Sequence, residues 1–533
     1  MKFEAILADI GGFGRFQKMI IAINFMSRFT MACHFLLGNF IAAIPAHHCR
    51  IPSVDDEGIF GNLSLADRFT ISIPLEDDGT RSSCRMFAEP QYHLLLNKSD
   101  VTQVPTLPCV DGWVYDNTTF KTTMTTEWDL VCDKRSRTKA ATTVFFFGVM
   151  FGDLTFGSLS DRFGRRIMLL TSYLSGMLFG LASAFSVSFL MFGVLRFLTG
   201  FCMTGIAIIS SVLCVEWVDI EHRNLVGSFE NFSWTFGSIT FVAFAYLVTD
   251  WRWLTISVTL PVIFGIISWR WMPESARWLI ANRKLEKAHL CLAKCANMNG
   301  TETLFQRIQP EVCAIGIMMT LSSIVVTEQK GRVYSYLDLI RTPKMRRLSL
   351  TTAVMWFTNA VTFYGITFNI SGFGLNAYLT QLLYSSAEVP GKLSIYFLLD
   401  RIGRKRTQVG MLMMLAISLG INIVVPKEMS RTRTTVAMIG KVFASGSFGT
   451  AMLYSPELFP TVVRQNGVGY VSSIARIGVA IAPLILLLDE IWQQLPQLIL
   501  CLSAALGATM ASTLSETRNR CLPETIEDVE RSQ

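Results

Sequence analysis

Two basic residues stand inside long apolar runs of this sequence. Lys392 lies past the middle of the run 377–399, in Glu388-Val-Pro-Gly-Lys392-Leu, and Arg476 lies near the centre of the run 465–488, in Ser472-Ser-Ile-Ala-Arg476-Ile-Gly. Ionisable groups at such positions are costly and mark binding or transport by default. Neither is close enough to an end to snorkel easily to water. Two fixed cations in one cavity attract an anion. The competing reading pairs each with a buried acid. Glu388, one helical turn before Lys392, is the obvious partner there, whereas no acid lies one turn from Arg476. Arg196 reads as a packing or gating residue, and Arg28, Asp153, Glu230 and Lys441 could face the same cavity or pair with one another. Trp234, Phe363, Tyr364 and Phe448 would suit an amphiphilic substrate, with ring area for its apolar part and an indole or phenol for its polar end. Each alone also suits ordinary helix packing.

These residues need a membrane-spanning scaffold, and composition points to one. The chain has 533 residues, 51% hydrophobic and 16% charged. Soluble chains carry roughly 25% charged residues. This excludes a disordered chain, a collagen-like chain and most soluble enzymes. A net charge of +7 without a long block of like charge argues against a nucleic-acid partner. Spanning helices need about 20 mostly apolar residues. Twelve runs qualify: 19–44, 139–159, 167–187, 189–212, 225–248, 252–272, 348–370, 377–399, 407–426, 435–455, 465–488 and 494–514. Residues 1–18 contain Glu4 and Asp9 and lack the order of a signal peptide. The expected fold is an all-α polytopic membrane protein of twelve transmembrane helices. Its divisions are a cytosolic amino terminus (1–18), a first six-helix half (19–272), a cytosolic linker (273–347), a second half (348–514) and a cytosolic tail (515–533).

Loop charge sets the expected orientation. Residues 45–138 hold nine Lys/Arg against fourteen Asp/Glu, whereas 273–347 hold twelve against six. The positive-inside rule places both termini in the cytosol and the large loop between helices 1 and 2 outside. That loop carries the sequons of Asn62, Asn97 and Asn117, which are expected to be glycosylated, and four cysteines, Cys49, Cys84, Cys109 and Cys132. In an oxidising compartment four cysteines read as two disulfides, with three pairings possible. Sequons at Asn231, Asn299 and Asn369 fall in spans or cytosol and are expected to stay bare. His47-His48-Cys49 has no second cluster to complete a metal site, so neither a metal nor a cofactor is expected.

Three motifs recur at nearly one offset. Gly157-Ser-Leu-Ser-Asp161-Arg162-Phe-Gly164-Arg165-Arg166 returns as Asp400-Arg401-Ile-Gly403-Arg404-Lys405, 239 residues later. Glu216 to Arg223 has the shape of Glu457 to Arg464, 241 later, and Pro273-Glu274-Ser275 answers Ser515-Glu516-Thr517, 242 later. All lie at cytosolic helix ends. Paired halves are the signature of a transporter that rocks around a midplane site. Arginines bracing carboxylates across the two halves would hold the cytosolic side shut. Anchoring by positive charge at helix ends is the simpler alternative.

The Gly-x-x-x-Asp-Arg-x-Gly-Arg-Arg pattern at 157–166, whose Asp-Arg-x-Gly-Arg part returns at 400–404, resembles the major facilitator superfamily. The sequon-bearing loop, Glu127-Trp128-Asp129-Leu130-Val131-Cys132, Pro273-Glu274-Ser275-Ala276-Arg277-Trp278 and Glu516-Thr517 before Leu522-Pro523-Glu524-Thr525 resemble the organic ion transporters of solute carrier family twenty-two. The likeness covers the whole chain. It is greatest to the anion branch, and within it to the second organic anion transporter type, through Phe35-Leu-Leu, Pro45-Ala-His-His-Cys49, Asp250-Trp-Arg-Trp253 and the segment Leu522 to Arg531. The resemblance implies polyspecific facilitated or exchange transport at a plasma membrane, often basolateral in kidney or liver cells. It implies that Lys392 and Arg476 coordinate anions and that Trp234, Phe363, Tyr364 and Phe448 form an aromatic cage. The expected substrates are small dicarboxylates, nucleobase or cyclic-nucleotide compounds and prostaglandin-like acids. Asp153 and Glu230 stand where the family carries small or neutral residues, which bears on charge preference.

The alternatives are an organic cation or zwitterion transporter, a sugar facilitator, a non-transporting receptor and a membrane enzyme. Arg476 speaks against the first, the long loop and Arg476 against the second, and the paired motifs against the third. No nucleophile–base set or metal cluster in one span supports the fourth, and no P-loop supports ATP-driven transport.

Overall fold

The computed structural model describes residues 7, 10–51, 63–76, 79–95, 104–219, 221–301, 336–369, 376–426, 429–460, 462–518, 523 and 525–531. Asn62 and Asn97 lie outside the described residues; Asn117 is exposed in a turn. Among the described residues twelve long helices follow in order. The first six are α1 (Arg15–Leu36), α2 (Arg135–Phe163), α3 (Arg165–Ala184), α4 (Phe189–Glu216), α5 (Arg223–Leu247) and α6 (Trp251–Ser268). The second six are α7 (Pro343–Phe368), α8 (Ala377–Ile402), α9 (Arg404–Val424), α10 (Ser430–Leu458), α11 (Arg464–Ile485) and α12 (Leu495–Ser512). Among the described residues nine helices are long and apolar enough to cross a membrane by length and composition. The three outside that set are α5, α7 and α8. They bring Glu230, Asn359, Glu388 and Lys392 inward, and those groups dilute the apolar signal.

Several helices run past the apolar segments. α10 begins at Ser430 and α9 at Arg404, because helical hydrogen bonding continues after the lipid-facing stretch ends. α6 stops at Ser268, short of the expected 272, and turns at Leu260-Pro261, where proline has no amide to donate. Local chemistry sets the starts. The Ser188 hydroxyl accepts the Met191 amide at 3.3 Å at the head of α4, and the Asp250 carboxylate accepts those of Arg252 and Trp253 at the head of α6. α2 and α4 pack with little between their backbones. A Cβ at Gly148 would lie 2.0 Å from the Phe197 carbonyl oxygen, and one at Gly200 would lie 2.3 Å from that of Phe145.

Among its described residues the large loop carries two small antiparallel sheets. β1 (His47–Cys49) pairs with β4 (Trp113–Tyr115), and β2 (Arg85–Phe87) pairs with β3 (Thr106–Pro108). Of the three possible cysteine pairings, the fold selects Cys49–Cys109 and Cys84–Cys132. Glu127 docks the loop on α6 by pairing with Arg252 and accepting the Trp251 indole N–H at 2.7 Å. The linker is partly helical. Asn299, at the end of the helix Leu285–Asn299, accepts the Phe16 amide at 2.9 Å and donates to the Gly11 carbonyl at 2.8 Å. That ties the linker to the head of α1. Glu530 likewise accepts the Lys344 and Met345 amides at the head of α7.

Candidate functional site

The repeated motifs build two copies of one device. Gly164, between α2 and α3, has φ +103°, and a Cβ there would lie 2.7 Å from the Glu274 carboxylate. Gly403, between α8 and α9, has φ +101°, and its Cβ would lie 2.6 Å from that of Glu516. Glycine is required twice, for the backbone conformation and for the space. Glu274 accepts the Arg165 and Arg166 amides at 3.0 and 3.1 Å. Glu516 accepts those of Arg404 and Lys405 at 2.8 and 3.2 Å. Each is a carboxylate on a helix amino terminus, where unpaired N–H groups favour negative charge. Arg165 then reaches Asp161 at 2.7 Å and Glu216 at 3.3 Å, and Arg404 reaches Asp400 at 3.8 Å and Glu457 at 3.2 Å.

These contacts correct the expected bracing across the halves. Among the described residues the ion pairs of Arg165 and Arg404 close within their own six helices, because each of these arginines heads the helix beside the one that ends in its glutamate. The remaining motif residues are peripheral. Arg162 is exposed over the Phe163 ring, and Arg166 stacks on Trp269 at 4.4 Å. Arg401 is exposed and its carbonyl accepts from Arg518. Arg464 donates to the Phe459 carbonyl at 3.4 Å, and Arg223 is half-buried at the head of α5.

Contacts between the two sets of helices lie elsewhere. Near the large loop, Arg135 pairs with Asp489 at 2.8 Å, Asn39 donates to the Thr367 carbonyl at 3.1 Å, and Tyr378 stacks on Phe40. At mid-depth two charged clusters form. In the first, Glu388 on α8 stands between two lysines, Lys392 at 3.1 Å and Lys441 of α10 at 3.2 Å. Lys392 also donates to the Thr235 hydroxyl at 2.6 Å and the Asn231 carbonyl at 3.0 Å, both on α5. Lys441 is fully buried, donates to Thr367 Oγ1 at 2.6 Å and lies 3.5 Å above the centre of the Phe363 ring. In the second cluster, Arg476 of α11 pairs with Asp153 of α2 at 2.5 Å. The pairing of Lys392 with Glu388 follows from their spacing. The partner of Arg476 does not, since it lies on a distant helix. Glu230 is held by Arg28 and Asn24 of α1, and Arg196 lies over Phe145 and donates to the His34 carbonyl.

Phe363, Tyr364 and Phe448 form one group, with ring centres 5.1 Å apart for Phe363–Phe448 and 5.2 Å for Phe363–Tyr364. Trp234 is not in that group. It packs edge-on against Phe35 at 5.4 Å. Phe146 joins the two, at 5.3 Å from Phe35 and 5.9 Å from Tyr364. Sequence reading missed Phe146 and Trp356, the latter at 5.4 Å from Phe448. Both are aromatic residues in apolar runs, and nothing in their spacing separates them from packing residues. Near His47, the Cys84 and Cys132 sulfurs that come within ligand range are joined to each other.

This arrangement, with charge buried at the contact between two sets of six helices and a motif repeated at one end, is that of a major facilitator carrier. The "Sugar (and other) transporter" family model matches residues 97–527. The chain is 42% identical to human "Solute carrier family 22 member 7" and 41% identical to the bovine protein, covering 100% of this chain and 96% of each relative. It is 35% identical to Xenopus laevis "Solute carrier family 22 member 6-B", over 99% of this chain and 95% of that one. Among solved structures it is similar to the inward open conformation of the xylose transporter XylE from E. coli. There the TM-score is 0.58 at 15% identity, covering 96% of this chain and 99% of that one; the likeness is one of fold. The chain belongs to solute carrier family 22, in its organic anion branch. It is a multi-pass membrane transporter, not an enzyme.

Proposed function

We propose that the chain carries small organic anions across the plasma membrane by alternating access, through facilitated diffusion or exchange for a dicarboxylate. The observation that carries this reading is Glu388 standing between Lys392 and Lys441. One carboxylate opposes two ammonium groups, and the Arg476–Asp153 pair is neutral, so among the described residues these groups leave one positive charge in excess. Phe363, Tyr364 and Phe448 offer apolar area next to it. Small dicarboxylates, nucleobase or cyclic-nucleotide compounds and prostaglandin-like acids fit that chemistry. An organic cation would need Asp153 or Glu388 released from its basic partner.

In this reading both termini and the linker are cytosolic, 45–138 is the glycosylated outer loop, and sorting is basolateral in epithelial or liver cells. The repeated motifs stiffen the cytosolic end of each half and gate by letting each half move as one body. A charge crossing about 100 mV is worth about 2.3 kcal/mol; a negative interior opposes anion entry, and exchange for an internal dicarboxylate offsets that term.

The test is uptake of labelled glutarate and labelled tetraethylammonium into expressing cells, with and without preloaded dicarboxylate. Glutarate uptake that rises on preloading supports the proposal. Uptake of tetraethylammonium alone overturns it.

A further inference from the structure

Asp153 and Arg476 come from opposite sets of helices and meet at 2.5 Å at mid-depth, with side chains 9% and 22% exposed. The chain itself therefore supplies Arg476 with a counter-ion. An ion pair that loses one partner in a buried site leaves an uncompensated charge, which is costly. A carrier whose Arg476 relied on substrate alone would change sides readily only when loaded and would be confined to exchange. We infer that Asp153 stands in for a substrate carboxylate in the empty carrier. It neutralises Arg476 during the unloaded return step and yields it when an anion arrives. This rests on the anion-carrier reading and adds what that reading leaves open, the choice between net flux and obligatory exchange.

Two consequences follow from charge and competition. Asp153 competes with the substrate for Arg476, so it weakens apparent affinity. It also sets the valence of the site. Arg476, Lys392 and Lys441 against Asp153 and Glu388 leave a single positive charge, which one monoanion neutralises. Without the Asp153 charge the same groups carry two, which suits a dianion.

The experiment uses the full chain in liposomes, either unloaded or preloaded with the unlabelled form of the probe. Labelled cyclic GMP serves as the monoanion and labelled glutarate as the dianion. The wild type is expected to take up cyclic GMP into unloaded vesicles. Asp153→Asn is expected to lose about fivefold or more of that net uptake and keep exchange, with the KM for glutarate falling by a similar factor. Excess formate supplies a free carboxylate and is expected to restore net uptake to the variant, which a purely structural role of Asp153 would not permit. If the Asn variant is not recovered folded, Asp153→Ser is put through the same assay. A variant with an unchanged ratio of net to exchange flux and an unchanged KM overturns the inference, as does failure of formate to act. A wild type that moves neither anion overturns the anion-carrier reading itself, and the inference with it.

Discussion

Lys441 and Glu388 stand 3.2 Å apart in the interior between α10 and α8, with the lysine fully buried and the glutamate 3% exposed. Glu388 serves Lys392 as well. Glu388→Gln leaves two neighbouring ammonium groups without their carboxylate. Removing one member of a buried charge cluster costs about 3–5 kcal/mol, so the variant should melt well below the wild type. Adding Lys441→Met should recover much of the loss, since an apolar side chain of similar length suits a buried position. Thermal unfolding of the purified proteins in detergent checks both. Equal melting of the single and double variants would show that the lysines do not depend on this acid.

Arg476→Asp should abolish anion uptake while a reduced but measurable surface expression persists. It also places a carboxylate beside Asp153, so two acids face each other where a pair stood. Combining it with Asp153→Arg restores a pair of reversed polarity, and the double variant should reach the surface better than Arg476→Asp alone. Surface biotinylation beside glutarate uptake reads both effects, and strictly additive losses would mean that the two residues are not coupled.

The two motif glycines should behave alike. Gly164→Ala and Gly403→Ala each force a Cβ onto a carboxylate and an L residue into backbone space that glycine alone occupies comfortably. Strain of this kind costs about 1–3 kcal/mol. Both variants should lose thermal stability by similar amounts, and Gly157→Ala, where a Cβ meets nothing within 4 Å, should lose far less.

Acid should weaken one motif in a defined window. Burial raises the pKa of Glu516, but the amides of Arg518, Arg404, Thr517 and Arg406 outweigh it and hold the carboxyl below its usual 4.5. A folded value below the unfolded one stabilises above the unfolded pKa and is lost as pH falls through the folded value. The stability difference between wild type and Glu516→Gln should be constant above about pH 5 and shrink below about pH 4. A difference that grows on acidification would contradict the assignment.

Peptide mapping without reduction should recover Cys49 linked to Cys109 and Cys84 linked to Cys132. Losing either bond should cost about 2–5 kcal/mol, with Cys84→Ser showing reduced surface expression. Asn117→Gln should sharpen the protein's mobility on a gel if that exposed residue carries a glycan.

How far the sequence reached depended on the range of each interaction. Spanning helices were legible because twenty apolar residues are a local property, and the pairing of Lys392 with Glu388 because four residues make one helical turn. The glycines at 164 and 403, with their arginines and glutamates, were legible as a device because they occur twice in register. Which carboxylate each arginine would reach was not, since helix neighbours within one half decide it, and this moved the expected brace from between the halves to inside each. Asp153 shows the limit most clearly. It lies 323 positions from Arg476, and only the packing of α2 against α11 brings the two together. By itself the sequence determined a twelve-helix carrier with buried cations, because apolar runs and the charges that interrupt them are written residue by residue. The tertiary structure decided which buried charges compensate one another, because ion pairing falls off within a few ångströms and no spacing along a helix encodes a contact between helices.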